Sequence, residues 1–264
     1  MRKIKPTIYF QFMLLVLLNL SINAVSAQEI VSDSLLIEKV RTESGVDPTR
    51  IQSRVAYTFI TQDMAGSAGS VTNRAALTLG VNRWSFNMKY EVVSVTSGIP
   101  GGGFSSGFGD VKFNILNAFY VKDKHALAVN VEFSMPTGGL KYGTGYYTTT
   151  PALTYSYTIN QSLFLAVQPQ YTFALLKDPI YPDLSILTVR IYLAKFTKTG
   201  YFFVFEPRPI FDLKNNTADL SISPIVGKTL GGGFNLIGVI EFPTRKSTRD
   251  TRGVTYQFGI NKSF

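Results

Sequence analysis

The sequence predicts an all-β fold, a transmembrane antiparallel up-and-down β-barrel of about 12 strands, on three observations. Apolar and polar residues alternate with a period of two through most of the chain after residue 50. The connections between these runs are short at one end and mostly long at the other. Charged residues make up 16% of the chain, below the roughly 25% usual in soluble domains, while aromatic residues make up 13%.

The alternation is clearest from Trp84 to Val92, where every second residue is apolar and the residues between are polar. Successive side chains of a strand leave opposite faces, so this pattern is typical of a strand with one apolar and one polar face. The same pattern recurs at 127–135 and 254–260. These runs are the reference from which the strands in the rest of the chain are assigned.

Extended along the chain, the pattern predicts strands near 50–60, 71–81, 83–95, 109–121, 126–136, 149–159, 162–175, 184–196, 200–213, 218–228, 233–243 and 253–264. An even strand number with short turns at one end is typical of outer-membrane barrels, with both termini in the periplasm. Proline removes a donor from a sheet, and the prolines inside these strands leave ten strands as an alternative, most of all at 200–228. These prolines are Pro151, Pro169, Pro207, Pro209 and Pro224.

A soluble barrel would also alternate, but with its apolar face inward. Strand length near the 9–11 residues that cross a bilayer favours the membrane version. Aromatic residues also gather near both ends of the predicted strands, as two lipid-facing girdles would require. Those near the short turns are Trp84, Phe119, Tyr120, Phe164, Phe196, Tyr201 and Phe234, and those near the long loops are Phe59, Phe173, Phe211 and Phe242.

The N-terminus divides into two segments before the barrel domain at 50–264. Residues 1–27 carry a basic start, an apolar run and small residues before Gln28, which is the pattern of a cleaved signal peptide. We therefore expect export to the outer membrane of a Gram-negative bacterium. Residues 28–49 are a periplasmic N-terminal segment with a short helix at Ser34–Val40; a disordered tail, a lumen plug and a periplasmic partner site all remain open for it.

The search for chemistry is negative, and we expect no enzyme activity, no cofactor and no metal site. The chain has no cysteine and a single histidine, His125, in a predicted periplasmic turn. Catalysis by serine and histidine needs the pair within hydrogen-bond reach and a third orienting group, for which this turn offers nothing. The net charge of +9 falls to +6 once Arg2, Lys3 and Lys5 leave with the signal peptide, so a nucleic-acid partner is not expected.

The polar face of the strands carries charged residues that define a candidate lumen. They are Arg54, Arg74, Lys89, Glu91, Lys112, Glu132, Glu206, Arg208 and Glu241. Buried charge is costly unless it is paired or hydrated. Two interpretations follow: a network of cross-strand ion pairs that braces a closed barrel, or a charged, water-filled constriction that selects solutes.

The last long loop is basic, with Arg245, Lys246, Arg249 and Arg252. A solvated loop explains this composition. The alternative is contact with the phosphates of lipopolysaccharide in the outer membrane, which Arg and Lys side chains suit.

Three short motifs, at 107–113, 135–139 and 143–145, with the strand through Pro151, resemble a family of outer-membrane proteins. This family carries the label "meta-pathway of phenol degradation". The resemblance covers roughly residues 100–180 and the C-terminal strand. It implies an outer-membrane barrel that passes hydrophobic or aromatic solutes, but no binding residues. The final strand, which ends at Phe264, also resembles the signal that the barrel-assembly machinery recognises.

The predicted function is passive passage of a small solute, hydrophobic or aromatic solutes among them, through the polar lumen. Aromatic loop residues are candidates for the first contact with such a solute, although they also suit lipid anchoring. They are Phe104, Phe108, Tyr142, Tyr146 and Tyr147. The alternative is a non-conducting barrel that serves as a scaffold or in surface attachment.

Overall fold

Twelve antiparallel strands form a closed barrel in the computed structural model, which describes residues 32–64, 69–96, 103–176, 183–245, 247 and 252–264. Two helices accompany them, α1 (Asp33–Ser44) and the short α2 (Gly139–Tyr142). The strands are β1 (Arg54–Met64), β2 (Gly69–Val81), β3 (Trp84–Thr96), β4 (Phe104–Phe108 and Val111–Lys122), β5 (His125–Met135), β6 (Tyr147–Asn160), β7 (Leu163–Leu176), β8 (Ser185–Phe196), β9 (Tyr201–Asp212), β10 (Thr217–Gly231), β11 (Phe234–Arg245) and β12 (Arg252–Ser263).

Each strand pairs with the next, and β1 pairs with β12 from Arg54↔Ser263 to Met64↔Arg252, which closes the sheet. Strand β4 consists of two segments on either side of Gly109. Its first segment pairs with the far half of β3 and its second with the near half, so the two form one strand with a bulge. The predicted fold class and the count of twelve strands are therefore confirmed.

The prolines remain inside strands because each breaks the pairing on one side only. Pro207 and Pro209 pair with β10, while the β8–β9 pairing stops at Phe205↔Leu193 and resumes at Ile210↔Thr188. Pro151 pairs with β5, and the β6–β7 pairing is interrupted around it in the same way. The ten-stranded alternative is thereby excluded.

The outer face of the barrel is apolar and the inner face is polar, the reverse of a soluble barrel. Along β3, for example, Trp84, Phe86 and Met88 are exposed outward. An outward apolar surface of this extent is what a barrel in lipid presents. Of the predicted aromatic girdles, the same outward exposure holds for Phe59, Phe119, Tyr120, Tyr201, Phe211 and Phe242.

Phe164 and Phe196 correct that prediction. Both are buried on the inner face, with stacked rings whose centroids lie 5.8 Å apart. Their positions have the parity of Ala166 and Ala194, which also point inward. Nearness to a turn predicts a girdle position for them, whereas their parity in the strand places them on the inner face of the barrel.

The connections differ between the two ends of the barrel. Two-residue turns join β2 to β3 and β4 to β5, with Asn82 (φ 54°) and Asp123 (φ 51°) in the left-handed conformation that tight hairpins need. We call this end the turn end, and the opposite end, which carries the 136–146 connection, the loop end. Within the described ranges, no helix is both long and apolar enough to cross a bilayer.

Helix α1 lies inside the barrel at the turn end and forms one compact unit with the strands. It is longer than the predicted helix and ends at Ser44, and the following Gly45 has a φ of 72°, which is typical of the residue after a helix. Val40 packs into a buried apolar cluster on the inner wall, with Ile37 beside it. The cluster consists of Phe164, Ala166, Tyr192, Ala194, Phe196, Phe202 and Val204. Residues 33–50 are thus ordered within the barrel and do not form a disordered tail.

Gly227 provides a test of this inner packing. A Cβ added there would overlap the ring of Phe202 and lie 2.7 Å from the Leu236 carbonyl oxygen. We expect Gly227→Ala to lower the free energy of unfolding by about 1–3 kcal/mol, because overpacking forces the wall apart. The measurement is urea unfolding of the refolded barrel, followed by its shift in gel mobility on heating.

The matched control is Gly238→Ala on β11, where the added Cβ would lie 3.8 Å from the nearest atom, an ordinary contact. That variant should keep the parent stability. Equal free energies of unfolding for the two variants would show that the packing around Phe202 does not limit the stability of the barrel.

Candidate functional site

The interior of the barrel holds a cavity of about 610 Å³ between helix α1 and the loop end. The chain that leaves α1, from Ser44 to Pro48, forms part of its floor, and Thr144 of the loop-end connection reaches its rim. The wall between them is polar, with Asn, Gln, Thr and Ser side chains from β4 to β7. Its charged lining consists of Lys89, Lys112, Glu132 and Arg190.

One charged network lies on β2–β5. Glu91 accepts hydrogen bonds from Arg74 Nε at 2.7 Å and from Lys112 Nζ at 3.3 Å. Lys89 donates to Glu132 at 2.6 Å. Lys89 and Lys112 occupy directly opposite positions on β3 and β4, where like charges repel unless they are bridged. The two glutamates supply that bridging.

A second network lies on β8–β11. Arg190 donates to both oxygens of Glu206, at 2.6 and 3.3 Å. Arg208 donates to Glu206 at 2.9 Å and to Glu241 at 2.8 Å. Glu206 is completely buried, so its charge depends on the two arginines.

A chain of neutral polar side chains lies along the wall between the two networks. Asn130 donates to Asn114 at 3.1 Å, and Gln168 donates to Asn130 at 3.2 Å. Tyr192 then donates to Gln168 at 3.0 Å, and the Arg190 guanidinium lies 4.9 Å from the centre of the Tyr192 ring. The wall from β4 to β8 is therefore one connected polar surface.

The structure places the nine predicted lumen residues on the inner face and brings eight of them into the two networks. The ninth, Arg54, lies at the turn end, where its guanidinium donates to Ser263 at 3.2 Å and to the Glu43 carbonyl at 3.4 Å. Sequence reasoning missed Arg190, because β8 is apolar on both faces and its facing was uncertain. A single charged residue within the apolar run 186–194 was the available signal.

The floor of the cavity is fastened by an ion pair within the N-terminal segment. Arg41 contacts Asp47 at 2.5 Å and also donates to Thr158 on β6 at 3.0 Å. Its guanidinium lies 4.8 Å from the centre of the Phe164 ring. Asp47 in turn accepts hydrogen bonds from the backbone and the hydroxyl of Thr49. Because Arg41 and Asp47 are both buried, this contact fixes the path of residues 41–49.

The loop-end connection is fastened by Asp110, at the bulge of β4. Its carboxylate accepts hydrogen bonds from the backbone of Gly138 at 3.2 Å and from the backbone and hydroxyl of Thr144 at 2.7 and 2.8 Å. A Cβ at Gly143 would overlap this carboxylate. The three motifs that resemble the phenol-degradation family therefore meet at one point, which we call the Asp110 clamp.

The clamp turns α2 inward over the lumen. Tyr142 packs against Gly107, where an added Cβ would overlap its ring, and its hydroxyl lies 2.5 Å from that of Ser105. This hydrogen bond lowers the pKa of Tyr142. Phe104 and Phe108, by contrast, are exposed on the outer face, the latter beside Tyr90.

The remaining aromatic loop candidates are less informative. Tyr147 is exposed outward at the start of β6, and Tyr146 is half-buried in the loop.

His125 lies at the turn end, with its Nδ1 2.8 Å from the Tyr155 hydroxyl and its ring against Tyr155 and Tyr157. Within the described ranges, no group of three acidic, histidine or cysteine side chains could hold a metal.

Two earlier predictions extend beyond the described residues. The signal peptide at 1–27 lies outside them. In the basic loop, only Arg245 can be placed, exposed at the end of β11; Lys246, Arg249 and the side chain of Arg252 lie outside the described part of the chain. Contact with lipopolysaccharide stays a prediction.

The Asp110 clamp predicts a change in loop accessibility. Asp110→Ala removes the acceptor for Gly138 and Thr144, at about 1.5–3 kcal/mol for hydrogen bonds to a charged group. We expect trypsin to cleave after Lys141 roughly tenfold faster, because the loop opens more often. Mass spectrometry of the folded barrel over time measures the cleavage.

The control for this experiment is Asp123→Asn in a two-residue turn at the other end, a position where Asn also tolerates the positive φ. It should leave cleavage after Lys141 unchanged. Equal cleavage in Asp110→Ala would show that the carboxylate does not hold the loop.

Helix α1 offers a second prediction. Arg41→Ala leaves the buried Asp47 without its nearest cation, and breaking a buried pair costs about 3–5 kcal/mol. We expect the helix to leave the wall. Because the chain has no cysteine, Val40→Cys can report this as faster maleimide labelling. Lys39→Ala, whose side chain is 57% exposed, is the control and should change little. Slow labelling in the Arg41→Ala background would contradict the prediction.

Comparison with known proteins identifies the fold. No protein-family profile matches the sequence, and no curated protein matches it. Solved structures do match: the barrel is similar to the KdgM porin at 9% identity and a TM-score of 0.58, over 80% of this chain and 99% of that chain. The NanC porin gives 11% identity and a TM-score of 0.58, over 80% and 98%.

An outer membrane channel from Pseudomonas putida gives 9% identity and a TM-score of 0.65, over 81% of this chain and 96% of that chain. At such identities, these likenesses show the fold alone. The chain has the fold of a closed antiparallel 12-stranded barrel like those of outer-membrane porins.

Proposed function

We propose that this protein is an outer-membrane channel for passive passage of small solutes. The observation that carries the proposal is the cavity of about 610 Å³, lined by polar side chains, inside a barrel with an apolar outer face. A hydrated path through lipid needs both surfaces. The similar solved structures, two named as porins and one as an outer membrane channel, support this reading.

In this proposal the turn end faces the periplasm. Short turns and chain termini lie at the periplasmic end of such barrels, while longer loops face outward. Helix α1 then narrows the periplasmic exit, and the loop held by the Asp110 clamp narrows the outer opening. Solute would cross the cavity between these two constrictions.

The lining favours hydrophilic solutes. Most residues of the lining carry amide, hydroxyl or charged side chains, while Leu116, Ile225 and Ile237 add apolar surface and Tyr192 is the aromatic side chain among them. The hydrophobic or aromatic solute implied by the phenol-family resemblance would find Tyr142 at the outer mouth and a few apolar side chains in the cavity, but among charged groups that such a solute does not pair with. We therefore propose small polar solutes first, with an aromatic ring accepted if it carries a polar group.

Export and assembly remain part of the proposal. Residues 1–27 would direct the chain across the inner membrane. The C-terminal Phe264 is 68% exposed, and its backbone N–H donates to the Ser53 carbonyl at 3.0 Å beside the closing strand pair. That exposed ring is available to the barrel-assembly machinery. Contact of the basic 245–252 loop with lipopolysaccharide belongs to the same proposal.

A non-conducting barrel is the second candidate, and two observations favour it. Helix α1 occupies the turn end, and each glutamate of the two charged networks is paired. A lumen filled in this way could serve a scaffold that lets nothing through.

Single-channel recording in planar bilayers separates the two candidates. The full mature chain should give discrete conductance steps, because a cavity with this many polar side chains can hold water and ions. Arg41→Ala should give larger steps, since the floor of the cavity opens, while Lys39→Ala should match the parent. A folded barrel that stays silent, with Arg41→Ala equally silent, would overturn the channel in favour of the scaffold.

A further inference from the structure

The charges of the cavity wall are unequally distributed between the surface and the layer behind it. Three cations line the cavity, Lys89, Lys112 and Arg190, against one carboxylate, Glu132. The two remaining partners, Glu91 and Glu206, do not reach the lining. The wall taken as a whole is close to neutral, yet the surface that a solute meets carries two more positive than negative charges.

The exposed fractions of the side chains also place the cations at the cavity surface and the carboxylates behind them. The side chains of Lys89, Lys112 and Arg190 are 30%, 24% and 32% exposed. Those of Glu91 and Glu206 are 9% and 0% exposed. The carboxylates therefore lie behind the cations, fix their positions and leave their outer sides to the lumen.

The pairing leaves donors available. Glu91 is shared by Arg74 and Lys112, and Glu206 by Arg190 and Arg208. An ammonium group carries three donors and a guanidinium five. Lys112 gives one hydrogen bond to Glu91, at 3.3 Å, so its charge is only partly compensated.

The three cations also come from separate parts of the wall. Lys89 and Lys112 are register neighbours on β3 and β4, whereas Arg190 lies on β8, four strands beyond β4 in a ring of twelve. The Asn114–Asn130–Gln168–Tyr192 chain lies between them along the wall. A solute in the cavity thus meets positive charge on two sides and neutral polar groups between.

Resting on the proposed channel function, we infer that this cavity is a binding site for small anions that carry a carboxylate or phosphate group. Charge-assisted hydrogen bonds from Lys89, Lys112 and Arg190 hold the anionic oxygens. The cavity volume of about 610 Å³ is in the range of small-molecule sites, which limits the solute to a size near one or two rings. Glu132 is the one carboxylate of the lining, and its ion pair with Lys89 at 2.6 Å limits its repulsion of an anionic ligand.

The test measures binding to the detergent-solubilised full mature chain by titration calorimetry. The probes are benzoate, its neutral analogue benzamide, and inorganic phosphate. The variant is Lys112→Gln with Arg190→Gln, because Glu91 keeps Arg74 and Glu206 keeps Arg208 in it. The matched control is Lys122→Gln with Lys124→Gln, which removes the same charge from an exposed turn.

We expect benzoate and phosphate to bind and benzamide to bind far more weakly. The cavity variant should weaken benzoate binding by roughly tenfold or more, and the turn variant should leave it unchanged. Equal affinity for benzoate and benzamide would overturn the proposal and indicate recognition of the ring. Equal weakening of benzoate binding by both variants would also overturn the proposal, because it would indicate an effect of net charge and not of the cavity.

Measurements of ion conductance separate the test of this anion site from the test of the proposed channel function. In a potassium chloride gradient, the parent channel should pass chloride in preference to potassium, and the cavity variant should lose that preference. A silent barrel that binds benzoate would overturn the channel and leave the anion site standing. A conducting barrel that binds neither benzoate nor phosphate would overturn the site and leave the channel.

Discussion

The pairing of β1 with β12 is the constraint on which the other features depend. An open sheet in lipid would leave a row of backbone donors and acceptors without partners, and closure removes that row. The same strand pair also anchors the N-terminal segment, because Ser263 donates to the Glu43 carbonyl at 2.9 Å and Arg54 donates to the same oxygen. The floor of the cavity is therefore attached where the barrel closes.

Closure with an apolar exterior leaves the polar residues facing inward, and the lumen must accommodate their charge. The structure does so by placing carboxylates against the strands and cations over them. A buried carboxylate shared by two cations is less costly than an isolated one, and it holds the longer side chains in fixed positions. One arrangement thus stabilises the wall and determines the charge that the lumen presents.

Strand number, strand order and the inner position of eight paired charges could be predicted because period-two alternation reports the two faces directly. Prolines did not end the strands, because a proline costs a hydrogen bond on one side only and the other neighbour keeps the strand in place. Nearness to a turn outweighed strand parity in the prediction for Phe164 and Phe196, because an inward aromatic residue needs packing partners and one of these, Val40, is more than a hundred residues away in the sequence.

The chemistry of Arg41, Asp47, Asp110 and Arg190 was also beyond sequence reasoning. Arg41 and Asp110 act through contacts with segments that the alternation does not connect to them: α1 with β6, and the β4 bulge with the loop at 136–146. Asp47 contacts Arg41, six residues before it, and Arg190 pairs with Glu206 on the next strand, but the alternation alone identifies neither pair. The glycine-rich motifs were visible, but the reason for them was not, since Gly143 is required by the Asp110 carboxylate and not by its own turn.

The position of helix α1 also has a consequence for biogenesis. Its contacts are with β8–β11, elements that follow it in the chain by well over a hundred residues. The segment that is synthesised first among the described residues therefore finds its binding surface last, after the strands of the C-terminal half have been made and joined. Docking of α1 against the inner wall is therefore a late step of folding, since it cannot precede the synthesis of the strands in the C-terminal half.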